Sequence, residues 1–570
     1  MKGAEILLKM LEAYGVEHVF GLPGETTLPW YKEWHKHPQI EHVLTRDERS
    51  ASFMAEAYAK VAFKPGVCEG PSPGATHMLP GVAEAFKASV PMIVFTSDVP
   101  LNMELRNMLT GCDQTRLFEP VTKAAFTITS SSEIPFVLRR AFRIATAGKP
   151  GPVHIRIPSN VFDEETDVKD LYAQDSFASY PGHRSVADPE EASKALELLL
   201  AAEAPLIICG QGVLYSQAWD EVSSLAEGLE IPVGTTMTGK GSISELHPWS
   251  IGVVGARGGT SLSNRYVDEA DLIFYIGSNT DSAGTDGWRL PNPASGKRFI
   301  QLDVSEAEVG NIYPVDVALI GDAKSTLRTM LEMLEGTKLT FSRRFTVQDI
   351  ERMKLEREAL VRVVESCDDF PFHPLRILKE FKEAMPEDGP IAVDAGVSSI
   401  YSTAFYTQKR AGRQFLSGYS MGALGYAVPA AFGAWVGGNG RVVAALTGDG
   451  SFAFTVGELE TLVRFGANVK IFLYRNDAYG WIRGESVWAE RMEPFAADFS
   501  SVDHAAVARA YGLAAFRPVT AAELSSVVRE AFAHDGPALV ELAVTTQDRL
   551  VPPVPKWVAE TKTAKAPYIY

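Results

Sequence analysis

Asp449 and Asn476 are the residues whose types and placement point most directly to chemistry. Asp449 sits in Gly448-Asp449-Gly450, just after the apolar run Val442 to Leu446, and Asn476 closes a second apolar run, Val469 to Tyr474. Runs of this length and composition read as buried strands of a parallel sheet. A carboxylate and a carboxamide therefore stand at the C-terminal ends of two strands, where open α/β sheets bind ligands. Hard oxygen donors in that position suit Mg²⁺, which prefers carboxylates together with phosphate oxygens. The flanking glycines let the backbone come close to such phosphates. Gly-Asp-Gly alone is also a common turn; the second strand ending in Asn is what sharpens the signal.

Glu48 is the next candidate. It follows a strand reading at His42 to Leu44 and opens a helix rich in small residues, Ser50 to Ala59. Two readings stand: a carboxylate that stabilises a helix N-terminus, or an acid held for proton transfer. Beyond Asn476, Arg483 and Glu493 are polar groups in an otherwise apolar stretch. Glu493, flanked by Met492 and Pro494-Phe495, is a candidate desolvated acid or base. Gln114 and the basic residues Lys409, Arg410 and Arg413 could meet a substrate.

Positioning these residues requires alternating strands and helices. An amphipathic helix over Ala4 to Ala13 leads into a strand at Val19, and Pro152 to Pro158 reads as a further strand. Asp163 to Asp188 is polar and reads as a linker. Leu206 to Cys209, Ile231 to Val233, Leu272 to Tyr275 and Phe299 to Leu302 are strands of a second unit. Phe341 to Pro371 is a charged helical connector, and a helix is expected from about Phe454 to Phe465. Alternation of this kind predicts parallel sheets. The expected fold is α/β, with three doubly wound parallel-sheet domains at 1–165, 186–335 and 370–545. Residues 546–570 form a C-terminal lid or tail, too proline-rich for a helix.

A chain of 570 residues is too long for one core, and 46% apolar with 22% charged residues is ordinary for a globular protein. The net charge of −17 argues against a nucleic-acid partner. Cys68, Cys112, Cys209 and Cys367 are dispersed, forming neither a disulfide framework nor a zinc pattern. The N-terminus has charges within its apolar pattern and reads as a helix, not a signal peptide. No stretch of 18 apolar residues exists, so no membrane span is expected. Tyr568-Ile569-Tyr570 is not a peroxisomal address, and a cytoplasmic location is expected.

The segment from Gly448-Asp449-Gly450 to Asn476 resembles the signature of thiamine-diphosphate-dependent enzymes, with Arg475 in place of the first of two asparagines. Arg46-Asp47-Glu48 with its small-residue helix, Gly70 to Ala75, and Gly418 to Ala431 resemble further motifs of that family, in the family's order. The resemblance covers about residues 1–545 and implies a pyrimidine-binding domain, a central Rossmann-like domain and a diphosphate-binding domain. It implies that Asp449, Asn476 and the carbonyl of Ala478 hold Mg²⁺, and that Glu48 bonds the aminopyrimidine N1′ and shuttles its proton. Val397, Ser398, Gly422, Leu424, Gly448, Gly450, Ser451, Tyr479 and Gly480 would line the cofactor site, with Leu424 beneath the cofactor. The central domain often holds ADP or FAD in this family. Asp303 could meet a ribose hydroxyl there, or the cleft could be an empty spacer.

Such sites form between two chains, so a homodimer or homotetramer is implied. The substrate is a small molecule, either an acyl-CoA or a 2-oxo acid. Thr110 stands where many relatives carry Gln or Glu, and the tail with Lys409 and Arg410 could close over coenzyme A. The first expectation is therefore a carbon–carbon lyase acting on 2-hydroxyacyl-CoA. The alternatives are an acetolactate-synthase-like carboligase or decarboxylase and a non-catalytic cofactor-binding relative.

Overall fold

In the computed structural model, which describes residues 1–337 and 339–560, the chain forms three six-stranded sheets. The first contains β1 (His18–Gly21), β2 (Glu41–Leu44), β3 (Gly66–Gly70), β4 (Met92–Asp98), β5 (Ala124–Thr127) and β6 (Pro152–Pro158), in the order β2-β1-β3-β4-β6-β5. The second contains β7 (Pro205–Cys209), β8 (Val233–Thr235), β9 (Ser250–Val253), β10 (Leu272–Ile276), β11 (Arg298–Asp303) and β12 (Val317–Ile320), in the order β12-β11-β10-β7-β8-β9. The third contains β13 (Ile391–Val393), β14 (Phe415–Ser417), β15 (Val443–Gly448), β16 (Val469–Arg475), β17 (Ala514–Phe516) and β18 (Ala538–Ala543), in the order β14-β13-β15-β16-β18-β17. Neighbouring strands in all three sheets pair in parallel.

The three sheets confirm the expected fold class. Parallel strands buried on both faces need near-continuous apolar runs, and β4, β7 and β10 are buried throughout. Strand order reverses between β1 and β3, between β7 and β10, and between β13 and β15, which places a crevice at their C-terminal ends. Among the described residues no helix is long and apolar enough to cross a membrane.

The first and third units share one apolar core through the helices Glu48–Ala62 and Ala427–Gly437. Their small residues bring the backbones close: a Cβ on Gly433 would lie 2.1 Å from the carbonyl oxygen of Met54. The expected helix from Phe454 to Phe465 is divided into a 3₁₀ turn Val456–Glu458 and a helix Leu459–Phe465, and a separate helical turn Asp449–Phe452 precedes it. Glu458 causes the break by turning inward, where its carboxylate accepts the Arg46 N–H (2.9 Å) and the Thr461 hydroxyl (2.7 Å).

The tail also differs from expectation. Pro555–Glu560 is helical despite the prolines, because a proline at a helix start loses no hydrogen bond. Val551, Val554, Trp557 and Val558 are buried against Ile400, Tyr419, Trp481 and Trp488, so this part of the tail is a strap packed on its own domain. Lys562, Lys565 and Tyr568 to Tyr570 lie outside the described residues.

Candidate active site

The crevice of the third sheet holds a cavity of about 310 Å³. Three helix starts meet there, those of Val397–Phe405, Asp449–Phe452 and Gly480–Trp488. N–H groups in the first turn of a helix favour an anion such as a diphosphate. Of the residues expected to line the cofactor site, Val397, Ser398, Gly422, Leu424, Gly448, Asp449, Gly450, Ser451, Asn476, Ala478, Tyr479 and Gly480 all line this cavity.

Asp449 is 4% exposed. One carboxylate oxygen accepts the N–H groups of Asn476 (2.9 Å) and Asp477 (2.7 Å); the other accepts that of Gly450 (2.9 Å). These bonds tie the end of β15 to the end of β16. Burial pushes the carboxyl up to about 6, against those three donors. Among the described residues no cationic side chain pairs with Asp449, so the anion is held without a counter-charge. That donor set fits a divalent cation.

Asn476 is oriented by a residue that motif reading missed. Its Nδ2 donates to Oε1 of Gln547 at 3.2 Å, and among the described residues no donor takes Oδ1 of this cavity-lining side chain. Gln547 is fully buried, and its own Nε2 donates to the Thr545 carbonyl. Gly480 makes room for the pair, since a Cβ there would lie 2.4 Å from both amides. Gln547 follows β18 outside any motif, and no local pattern flags it. Arg475, in place of the first asparagine, ion-pairs with Glu541 (2.9 Å) and Asp477 (3.1 Å) and so braces this loop.

Glu48 begins the helix Glu48–Ala62, is 6% exposed, and lies 3.0 Å from Nδ1 of His77. Gly74 of the Gly70 to Ala75 turn provides its seat, since a Cβ there would meet the Glu48 carboxylate at 2.5 Å. Glu48 does not line the cavity around Asp449 in the same chain.

The other sequence candidates are placed differently. Gln114 is fully buried, with its amide taken up by Thr96 (2.5 Å), Ser97 (3.0 Å) and Ser72 (3.2 Å), so it is an internal brace and faces no substrate. Glu493 is exposed and outside the cavity, and the apolar neighbours in sequence do not desolvate it. Arg483 is held by Asp548 (3.1 Å) and Asp498, linking its helix to the tail. Lys409 and Arg410 both face Glu387, at 3.3 and 3.8 Å, away from the cavity. By contrast, Arg257 of the central unit packs over Trp481 (4.3 Å to the ring centroid) and donates to the Tyr419 hydroxyl at 3.2 Å. Both rings line the cavity, and among the described residues no carboxylate ion-pairs with Arg257. Its position between Gly255 and Gly258 carried no motif.

A second cavity, about 240 Å³, opens at the strand-order reversal of the central sheet, lined by Gly210, Gln211, Gly212, Gly277 and Asp303 among others. Burial pushes the Asp303 carboxyl up to about 6. The two glycines of Gly210-Gln211-Gly212 answer to packing: a Cβ on Gly210 would lie 2.2 Å from the Gly277 carbonyl oxygen.

Three parallel crevices in sequence, with a carboxylate and a carboxamide at the last one, define a class of enzyme. Residues 1–117 match the model described as the thiamine pyrophosphate enzyme N-terminal TPP binding domain. Residues 192–330 match its central domain and 394–542 its C-terminal TPP binding domain. The chain belongs to the thiamine-pyrophosphate-dependent enzyme family, the family that includes acetolactate synthases. It is similar to a probable acetolactate synthase large subunit of Methanococcus aeolicus, 33% identical over 97% of this chain and 94% of the relative. It is likewise similar to the acetolactate synthase of Arthrospira platensis (30% identical, 97% and 96% covered) and to acetolactate synthase isozyme 1 large subunit of Escherichia coli strain K12 (29%, 98% and 97%).

Proposed function

We propose that this chain is an acetolactate-synthase-like carboligase. It would decarboxylate one 2-oxo acid and join the remaining fragment to a second carbonyl compound, using thiamine diphosphate and Mg²⁺. The observation that carries this reading is the near full-length likeness to proteins named acetolactate synthase. It displaces 2-hydroxyacyl-CoA lyase as the first reading. The supports for a thioester site have weakened: Lys409 and Arg410 face Glu387, and the described tail packs as a strap. Thr110, which departs from the synthase pattern, lies on an exposed loop and gives its carbonyl to the Ser72 hydroxyl at 2.6 Å.

Bound thiamine diphosphate supplies a carbon nucleophile and an electron sink. In this reading Asp449, Oδ1 of Asn476 and the Ala478 carbonyl hold Mg²⁺, and the converging helix N-termini hold the diphosphate. Leu424, which lines the cavity, would support the cofactor. Glu48, buried beside His77, holds the proton exchanged with the pyrimidine ring. Because Glu48 stands apart from the Asp449 cavity of its own chain, it serves the cavity of a second copy. The exposed apolar side chains Leu105, Leu109, Met421, Phe454 and Phe495 support a homodimer or larger homo-oligomer. Arg257, a cation against the cavity wall with no acidic partner among the described residues, suits a substrate carboxylate. The central crevice, at a strand-order reversal, suits an ADP-containing group such as ADP or FAD.

The test is product analysis with purified protein, thiamine diphosphate and Mg²⁺. Pyruvate should be consumed with release of CO₂ and formation of acetolactate. Turnover of a 2-hydroxyacyl-CoA to formyl-CoA with pyruvate untouched would restore the lyase, and no turnover of either with the cofactor bound would favour a non-catalytic relative.

A further inference from the structure

Glu84 is fully buried in the first unit, on the helix Gly74–Lys87, yet its carboxylate is spent on the third. One oxygen accepts the N–H of Ser420 at 2.9 Å and the other the N–H of Met421 at 2.8 Å. These two residues sit in the loop that carries Tyr419, Gly422 and Leu424 into the wall of the cavity around Asp449. The far end of the same loop is held within its own unit, where Asp394 accepts the Tyr426 N–H at 2.7 Å and the Thr447 hydroxyl at 2.7 Å. The wall is thus gripped at two points, and one grip comes from another domain.

We infer that Glu84 is a positioning residue for the cofactor site, a carboxylate clamp that holds the Leu424 loop in place and releases it on protonation. This rests on reading the Asp449 cavity as the thiamine-diphosphate site. Only the ionised carboxylate accepts with both oxygens; a protonated one turns an oxygen into a donor that opposes an N–H. Burial pushes Glu84 up to about 7, so the change falls near neutral pH. The groups facing it are few. Lys60 favours its charge and Glu56 opposes it, both from the helix Glu48–Ala62. Those two pair with each other, and Glu56 also accepts the Tyr426 hydroxyl at 2.8 Å. Tyr215 and Arg413 lie on the far side of the same network, stacked 4.3 Å apart.

Two measurements test the clamp. In wild-type protein, the protection of residues 418–426 against hydrogen–deuterium exchange, corrected for intrinsic rates, should fall at least about fivefold between pH 8 and pH 6. Apparent affinity for thiamine diphosphate with Mg²⁺, followed by Trp481 fluorescence, should fall over the same range. Glu84→Gln should weaken that affinity about tenfold and abolish its pH step, while Glu84→Asp keeps a step. Unchanged protection in the wild type, or a Glu84→Gln variant with wild-type affinity and pH dependence, overturns the proposal. The exchange experiment decides the matter if Glu84→Gln does not fold. A pH step in exchange without any cofactor uptake would retire the cofactor reading of the cavity and leave the clamp standing.

Discussion

Asp449 carries a buried charge that no cation among the described residues neutralises, and this is where a residue-level prediction is sharpest. Asp449→Ala should abolish retention of thiamine diphosphate and Mg²⁺ through gel filtration, with the fold intact by circular dichroism; normal retention would remove the assignment. Gln547→Leu should act on the same site indirectly. It frees the Asn476 amide to turn and leaves a buried donor unpaired, a loss of about 1–3 kcal/mol and about 10–100-fold in metal affinity. Mg²⁺ titration of the cofactor-loaded protein reads this. Glu84 has opposing effects on fold and site. Its folded value lies above its unfolded one, so the unfolded chain ionises first, and the group's contribution to stability declines as pH rises from about 4.5 to about 7. Lower pH therefore favours the fold while it loosens the loop.

At the level of elements, the strap Val551 to Val558 braces the cavity wall from outside. Trp557 stacks on Trp481, with ring centroids 4.5 Å apart. Trp557→Ala should cost about 3 kcal/mol at that contact and show as easier proteolysis of the tail, with cofactor affinity lowered because Trp481 loses its backing. Tail cleavage at the wild-type rate would count against a bracing role. The 3₁₀ turn Val456–Glu458 and the helix Leu459–Phe465 were read from sequence as one helix. Periodicity is blind to Glu458, whose partner Arg46 is more than four hundred residues away in the chain.

For the whole molecule, the decisive question is whether Glu48 of one chain serves the Asp449 cavity of another. Mixing Glu48→Gln and Asp449→Ala chains under conditions that allow subunit exchange should restore about a quarter of wild-type activity, since half the dimers then carry one intact site of two. A site formed within one chain restores none. Glu48→Gln alone should lower turnover at least about a hundredfold while leaving Mg²⁺-dependent diphosphate binding within reach of the wild type.

The sequence by itself determined the α/β plan of three parallel sheets, because buried parallel strands need continuous apolar runs and their ends need small or polar turns. It also marked Asp449, Asn476 and Glu48, which stand at such strand ends and helix starts, where local chain geometry dictates position. Only the tertiary structure decided the fate of isolated polar residues. Gln114 became an internal brace, Arg483 a tether to Asp548, and Glu493 a surface group, while Gln547, Arg257 and Glu84 emerged beside the cavity. The reason is physical: desolvation and hydrogen-bond partnership depend on groups brought together from distant parts of the chain. Local spacing records where a backbone turns, but not which charge a folded interior leaves unpaired.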